Sequence, residues 1–91
     1  MVSKKFRVTD ALGLHLRPAG KLCEKALQYQ CSVTFQKGNY SGNVKSVISL
    51  LAGGVKRDQE ITLICSGVDE EQALNDLSSF MLQELTVVEI D

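Results

Sequence analysis

Alternation of polar and apolar residues is the pattern of a half-buried strand, and it recurs along this chain. Near the N-terminus, Phe6 and Val8 share one face while polar residues share the other. Residues 37–39, Lys-Gly-Asn, form a polar turn between two further segments of this kind, which is typical of a hairpin. The pattern predicts strands over residues 2–9, 31–36, 40–44 and 60–65.

A helical period follows the first strand. Ala19, Leu22, Cys23 and Ala26 recur at the spacings i, i+3, i+4 and i+7, which places them on one face of a helix. We expect this helix over residues 16–29, with that face toward the sheet.

Capping residues predict two more helices. Ser46 can cap a short helix over residues 47–52, and the pair Gly53-Gly54 would end it, because glycine reaches left-handed angles without strain. Asp69, with Gln72 three residues later, predicts a capping box at the start of the last helix. The buried face of that helix is expected to comprise Ala73, Leu74, Leu77, Phe80 and Met81.

The resulting order, βαββαβα, predicts an α+β fold of the open-faced β-sandwich type. In it three helices cover one face of a four-stranded, mainly antiparallel sheet, and the other face meets solvent. The chain shows no repeat or linker, so residues 1–91 are expected to form a single domain. The end of the chain, TVVEI at residues 86–90, is rich in β-branched side chains, which leaves open a short edge strand or a frayed tail.

Charge and composition narrow the function classes. Ten basic residues nearly cancel eleven acidic ones, so a nucleic-acid partner is not expected. Apolar runs fall well short of the ~20 residues of a membrane span, and the start has no signal-peptide core, which predicts a soluble cytoplasmic protein. Cys23, Cys31 and Cys65 are odd in number and lack metal-ligand spacing, so we interpret them as core thiols and expect neither a metal nor a cofactor.

The only histidine, His15, lies between the first strand and the first helix. There it occupies the N-cap or lies beside it, near first-turn N–H groups that together suit a phosphate. The positive end of the helix disfavours an imidazolium, so we expect a neutral, nucleophilic ring. Arg17 offers a guanidinium to phosphoryl oxygens, and Pro18 sacrifices no hydrogen bond in the first turn. These residues indicate a phosphoryl-carrying histidine; the alternative is an ordinary surface or capping histidine beside a solvated arginine.

Two motifs make the sequence similar to the family of the phosphocarrier protein HPr, part of the phosphoenolpyruvate-dependent sugar phosphotransferase system. GLHLRPAG, residues 13–20, resembles the phosphohistidine motif of that family. NVKSVISLLAGGV, residues 43–55, resembles the signature around its regulatory serine. The resemblance covers about residues 4–85 without a gap.

The resemblance implies a carrier without catalytic activity of its own. His15 would accept a phosphoryl group at Nδ1 from Enzyme I and pass it to the IIA domain of a sugar permease. Arg17, with the Leu16 and Arg17 amides, would hold the group. Ser46 would be a regulatory site for an HPr kinase/phosphorylase, with a transcriptional regulator as a further partner; the alternative is that Ser46 is only an N-cap. We expect a monomer.

A second apolar stripe on the first helix begins beside the histidine, about 90° round the helix from the core face. The short helix also carries more apolar residues than the core can cover. Apolar surface beside a reactive side chain is typical of a docking site, and in the family these two helices contact partners. The alternative is that the stripe widens the core contact. The candidate docking residues are Leu16, Gly20, Glu24, Leu27, Val47, Ile48 and Leu51.

Some positions depart from the family, and they concern partner choice more than phosphoacceptor chemistry. Two other functions therefore remain open. One is an HPr-like paralogue in a regulatory branch, such as a nitrogen-linked or dedicated phosphotransferase chain. The other is a binding module that acts only as a coregulator phosphorylated on Ser46, although the retained histidine and arginine argue against it. The departures are Leu12, Leu16, Glu24, Gly53 and Asp58.

Overall fold

The computed structural model describes residues 1–90 and contains three helices and five strands. Within these residues no helix is long and apolar enough to cross a membrane. The predicted βαββαβα order is confirmed, with one further strand after it. In chain order the elements are β1 Val2–Val8, α1 Leu16–Ala26, β2 Ser32–Lys37, β3 Tyr40–Asn43, α2 Val47–Ala52, β4 Glu60–Ser66, α3 Glu70–Glu84 and β5 Val87–Ile90.

The strands form one antiparallel sheet in the order β3-β2-β4-β1-β5. Alternation of burial is clearest along the middle strand β4, where Ile61, Leu63 and Cys65 are buried and the residues between them are not. Phe6 of β1 lies opposite Ile61, and Phe35 of β2 lies opposite Leu63. These side chains form the core between the sheet and the helices, as the predicted open-faced sandwich requires.

The sheet has five strands, so the predicted number of four was one too few. Residues 87–90 form β5, which pairs with β1 along its outer edge and buries Val87 opposite Val8. The edge-strand alternative for the tail is therefore the one the structure adopts. Just before β5, the carbonyl of Thr86 accepts a hydrogen bond of 3.0 Å from the N–H of Thr9, which fixes the chain where it leaves β1.

Helix α1 ends at Ala26, three residues before the predicted end at residue 29. The next residues turn more tightly: the N–H of Tyr29 bonds the carbonyl of Ala26, three residues back, at 3.2 Å. Tertiary contacts hold this turn, since the Tyr29 hydroxyl donates to Asp76 at 2.7 Å and Lys45 Nζ donates to the Tyr29 carbonyl. The predicted buried face of Ala19, Leu22, Cys23 and Ala26 is confirmed.

Asp69 does not form the predicted capping box. It occupies the N-cap of α3, but its carboxylate accepts from the N–H groups of Gln30 and Cys31 at 2.9 and 2.8 Å instead of capping the helix. Those hydrogen bonds hold the pKa of Asp69 below its ordinary value. Glu70 caps locally instead, since its carboxylate accepts from the Gly67 N–H at 3.1 Å. Asp69 therefore joins the start of β2 to the start of α3.

The cysteines are core thiols, as predicted, and all three are buried and unbridged. Burial raises the pKa of Cys65 to about 12, with the nearby Cys31 thiol adding to the effect. Burial also raises the pKa of Cys31. Ala73, Leu74, Leu77 and Met81 line the buried face of α3, whereas Phe80 is only half-buried.

Candidate functional site

A tight turn at Gly13 brings His15 to the start of α1. Gly13 has φ +69°, and a Cβ there would collide with the Val55 carbonyl and with Lys56, so only glycine fits. The next residue, Leu14, is buried and donates its N–H to the Val55 carbonyl at 2.9 Å. Because both residues are fixed against the chain before β4, His15 has little freedom in where it emerges.

His15 is the N-cap of α1, as predicted. Its backbone is extended, with φ −90° and ψ −173°, and its carbonyl accepts the first helical hydrogen bond, 3.0 Å from Ala19 N. Its imidazole makes no capping hydrogen bond and is about one-third exposed. The first-turn amides of Leu16 and Arg17 thus keep the free N–H groups that an anion can use.

The structure adds a carboxylate that the sequence interpretation missed. Asp10 Oδ2 lies 3.4 Å from His15 Nε2, and Asp10 Oδ1 accepts a hydrogen bond of 2.8 Å from the Leu12 N–H. The N–H of Gly13 also bonds the Asp10 carbonyl at 2.9 Å, which closes the turn. An aspartate directly after a strand, followed by a glycine three residues on, is a turn signal that could have indicated this position.

A small cleft of about 90 Å³ borders the histidine. Arg17 lines it, as does Lys21 one helical turn later, so two cations share the cleft with the imidazole; Glu84 of α3 adds a negative charge. Lys21 and Glu84 were not among the predicted site residues. The cleft is lined by Asp10, His15, Arg17, Pro18, Lys21, Glu84, Leu85 and Thr86.

Ser46 is the N-cap of α2, as predicted. Its Oγ accepts from the Ser49 N–H at 3.2 Å. Ser49 in turn holds the loop before it, since Ser49 Oγ accepts from the Asn43 N–H at 2.8 Å and the Ser49 carbonyl accepts from Tyr40. Ser46 thus stands at a rigid helix start on the same side of the molecule as α1, which contacts α2.

Several large apolar side chains are exposed on α1 and its C-cap, on α2 and in the loop before α1. Leu16 and Leu27 are 66% and 60% exposed, and Ile48 is 81% exposed, so the first two are not part of the core contact. Leu12, 74% exposed, lies with Leu16 on the surface around His15 and was not predicted to belong to this patch. We call the exposed residues Leu12, Leu16, Leu27, Ile48 and Leu51 the apolar face.

The remaining candidate docking residues differ in position. Gly20 is half-buried, and a Cβ built on it would meet open space. Val47 is half-buried against the core, so it contributes less to the surface than its neighbour Ile48. Glu24 is exposed but lines a groove with Phe80 of α3, which places it on the α3 side of the stripe.

The fold and the site together define a class of small open-faced sandwiches that present one histidine at the start of the first helix. The model of the PTS HPr component phosphorylation site family matches residues 2–83. The phosphocarrier protein HPr of Mycoplasma capricolum is 33% identical over 75 residues, 82% of this chain and 84% of that protein. The HPr-like protein Crh of Bacillus subtilis is 33% identical over 85 residues, 93% of this chain and 100% of Crh.

A solved structure of a histidine-containing phosphocarrier protein from Mycoplasma superposes with a TM-score of 0.91 at 29% identity, covering 94% of this chain and 98% of that one. HPr from Thermoanaerobacter tengcongensis gives 0.85 at 26% identity, covering 91% and 93%. The chain belongs to the HPr family of phosphocarrier proteins.

Proposed function

We propose that this protein relays a phosphoryl group from Enzyme I to the IIA domain of a sugar permease through His15, in the cytoplasm. The observation that carries the proposal is the position of the only histidine, partly exposed at the N-cap of α1 in a chain of the HPr family. The protein then acts as a substrate of its partners' transfer reactions and turns over nothing by itself.

The transfer uses the lone pair of the imidazole Nδ1 atom. Nδ1 attacks phosphorus, the N–P bond forms, and the bond between phosphorus and the donor atom of Enzyme I breaks with its electron pair going to that atom. Phosphoryl oxygens then lie near the free amides of Leu16 and Arg17 and near the positive end of α1. The Arg17 guanidinium, which lines the same cleft, can bind two of these oxygens in its planar fork.

The apolar face supplies the contact with both partners. Leu16 and Leu12 surround His15, and Ile48 and Leu51 extend the apolar surface onto α2. A surface of this kind costs solubility in a monomer unless a partner covers it, which favours a docking role. Because one site must meet a donor and an acceptor in turn, the same surface serves both in succession.

A second function, regulatory docking, is favoured by the likeness to Crh and by the position of Ser46. A phosphate on the α2 N-cap would be favoured by the helix dipole, while its charge of about −1.5 to −2 would disturb an adjacent apolar contact. An HPr kinase/phosphorylase would make this modification, and a transcriptional regulator would read it. Carrier traffic would fall in the modified protein.

Phosphorylation with Enzyme I and phosphoenolpyruvate tests the carrier proposal. We expect one phosphate, labile in acid and stable in base, on the wild-type chain, and none on His15→Ala. Ser46→Ala is the matched control, since it should be labelled as the wild type is. Enzyme I-dependent labelling of His15→Ala would refute the assignment of His15.

A further inference from the structure

The contact between Asp10 and His15 has no role in the relay as described so far. Asp10 Oδ2 is 3.4 Å from His15 Nε2, while the proposed phosphoacceptor atom is Nδ1 on the other side of the ring. Within residues 1–90 no group hydrogen-bonds to Nδ1. The carboxylate therefore faces the nitrogen that does not react and leaves the other one open.

We propose that Asp10 is a positioning residue that selects the Nε2–H tautomer of His15 and so presents the Nδ1 lone pair to phosphorus. This inference rests on the proposed carrier function. In a neutral imidazole one nitrogen bears the proton and the other a lone pair. A carboxylate attracts an N–H and repels a lone pair, so Asp10 favours the ring with its proton on Nε2. Without such a neighbour both tautomers compete, and the Nδ1–H form cannot attack.

The turn before α1 holds the carboxylate in place for this task. Oδ1 accepts from the Leu12 N–H and the backbone carbonyl of Asp10 accepts from the Gly13 N–H, so both the side chain and the backbone of Asp10 are held by the turn. Oδ2 is left for the imidazole. A turn of four residues, 10–13, is therefore enough to place the carboxylate against the imidazole.

The same contact acts during transfer. As the Nδ1 lone pair forms the N–P bond, the ring gains positive charge while its proton stays on Nε2, facing Asp10. When the acceptor attacks phosphorus, the N–P bond breaks and its electron pair returns to Nδ1, so the proton does not move in either direction. The positive charges of Arg17 and Lys21, which line the same cleft, offset the repulsion between Asp10 and the phosphoryl oxygens. Glu84 also lines the cleft, and its negative charge adds to that repulsion.

Asp10→Asn is the informative variant. It keeps an oxygen for the Leu12 N–H, but it turns an N–H donor toward Nε2, which favours the opposite tautomer. Glu71→Gln is the control, because it makes the same change from carboxylate to amide on an exposed residue of α3, beside Val2 at the start of β1 and outside the cleft of His15. Asp10→Ser, which retains an oxygen acceptor but no carboxylate, is the second variant in case the amide disturbs the turn.

Long-range ¹⁵N–¹H correlation reports the tautomer directly, and the only histidine gives an unambiguous signal. In alkaline solution, where imidazole is neutral, we expect the Nε2–H form to dominate in the wild type and in Glu71→Gln. In Asp10→Asn the ratio should shift about five-fold toward Nδ1–H, a size typical of a partly exposed charged contact. Because Nε2–H is the major form in the wild type, its population falls less than the ratio does, so transfer from Enzyme I should slow by about two-fold or less on this account.

An unchanged tautomer ratio in both Asp10 variants would overturn the inference, as would a wild-type ring that is mainly Nδ1–H. The tautomer is measured without any phosphoryl donor. If the chain accepts no phosphate from Enzyme I, the carrier function is refuted. The tautomer ratio still decides whether Asp10 orients the ring.

Discussion

Substitution of Gly20 separates docking from folding, because this residue lies on the exposed stripe of α1 without filling any of the core. Apart from its chain neighbours and the local backbone of α1, a Cβ at position 20 would meet no heavy atom within 4 Å. Gly20→Glu therefore places a charge between Leu16 and Leu27 and should meet no steric resistance. Gly20→Ala is the matched control, since it changes the backbone propensity without adding a charge.

The change in folding stability can be estimated from helix propensity and local charge. Replacing an interior helical glycine gains about 0.5–1 kcal/mol. The new glutamate lies four residues before Glu24, and a like-charge pair at that spacing costs about 0.2–0.5 kcal/mol. The free energy of unfolding of Gly20→Glu should therefore equal that of the wild type or exceed it slightly. Gly20→Ala should be the more stable of the two variants.

The expected effect on docking is larger. A charge moved from water into an apolar contact without a partner costs on the order of 2 kcal/mol, which corresponds to about 30-fold in Kd for Enzyme I. Urea unfolding gives the stability, and calorimetry or phosphotransfer at limiting carrier gives the affinity. Equal losses of stability and binding in Gly20→Glu would show that the stripe belongs to the core. Unchanged affinity would show that partners dock elsewhere.

The other predictions concern packing, acid stability and transfer. Gly53→Leu should cost about 1–3 kcal/mol in urea unfolding, because a Cβ there already lies 2.9 Å from the Phe35 ring; an unchanged midpoint would contradict the packing described. Backbone hydrogen bonds lower the pKa of Asp69 in the folded chain. Its contribution to the free energy of unfolding is therefore fully present above the pKa of the unfolded chain, near 3.9, and is lost as pH falls through the lower pKa of the folded chain. In Asp69→Asn the free energy of unfolding should therefore fall less steeply as the pH is lowered than it does in the wild type. An equally steep fall in both proteins would refute this. Arg17→Gly should keep its circular dichroism spectrum but slow transfer about 10²-fold or more, as loss of a charge-stabilising donor does, and wild-type rates would remove Arg17 from the mechanism. Glu24→Lys should change the rate of association with Enzyme I at low salt, and an unaffected rate would exclude Glu24 from partner selection.

Elements defined by local pattern were predictable from the sequence. The alternation of β1 and β4 and the apolar period of α1 each identify a buried face that the structure confirms. The Ser46 cap was also predictable, because its hydrogen bond spans only three residues. In these places the side chain and the group it contacts are neighbours along the chain.

Features that depend on distant partners were not predictable in the same way. Asp69 has the sequence of a capping residue, yet its carboxylate binds the amides of Gln30 and Cys31, 39 and 38 residues away. The same distance effect ends α1 early, since Tyr29 is held by Asp76 and not by another helical turn. The strand character of residues 87–90 is likewise decided by the free edge of β1, which a local pattern does not describe.

Four of the five positions that the resemblance predicts to depart from the family fall into two groups with different physical meaning. Gly53 and Asp58 are accommodated by the fold: the Phe35 ring fills the space beside Gly53, and Asp58 adopts φ +70°, a conformation in which glycine is unstrained and aspartate is tolerated. No part of the chain covers Leu12 and Leu16, since both are largely exposed beside His15. Contiguous exposed apolar groups beside a reactive side chain are typical of a surface that a partner covers. Under the proposed docking role we therefore expect a partner that covers Leu12 and Leu16 to present an apolar surface at this point, which is the property to look for when Enzyme I and IIA candidates are compared.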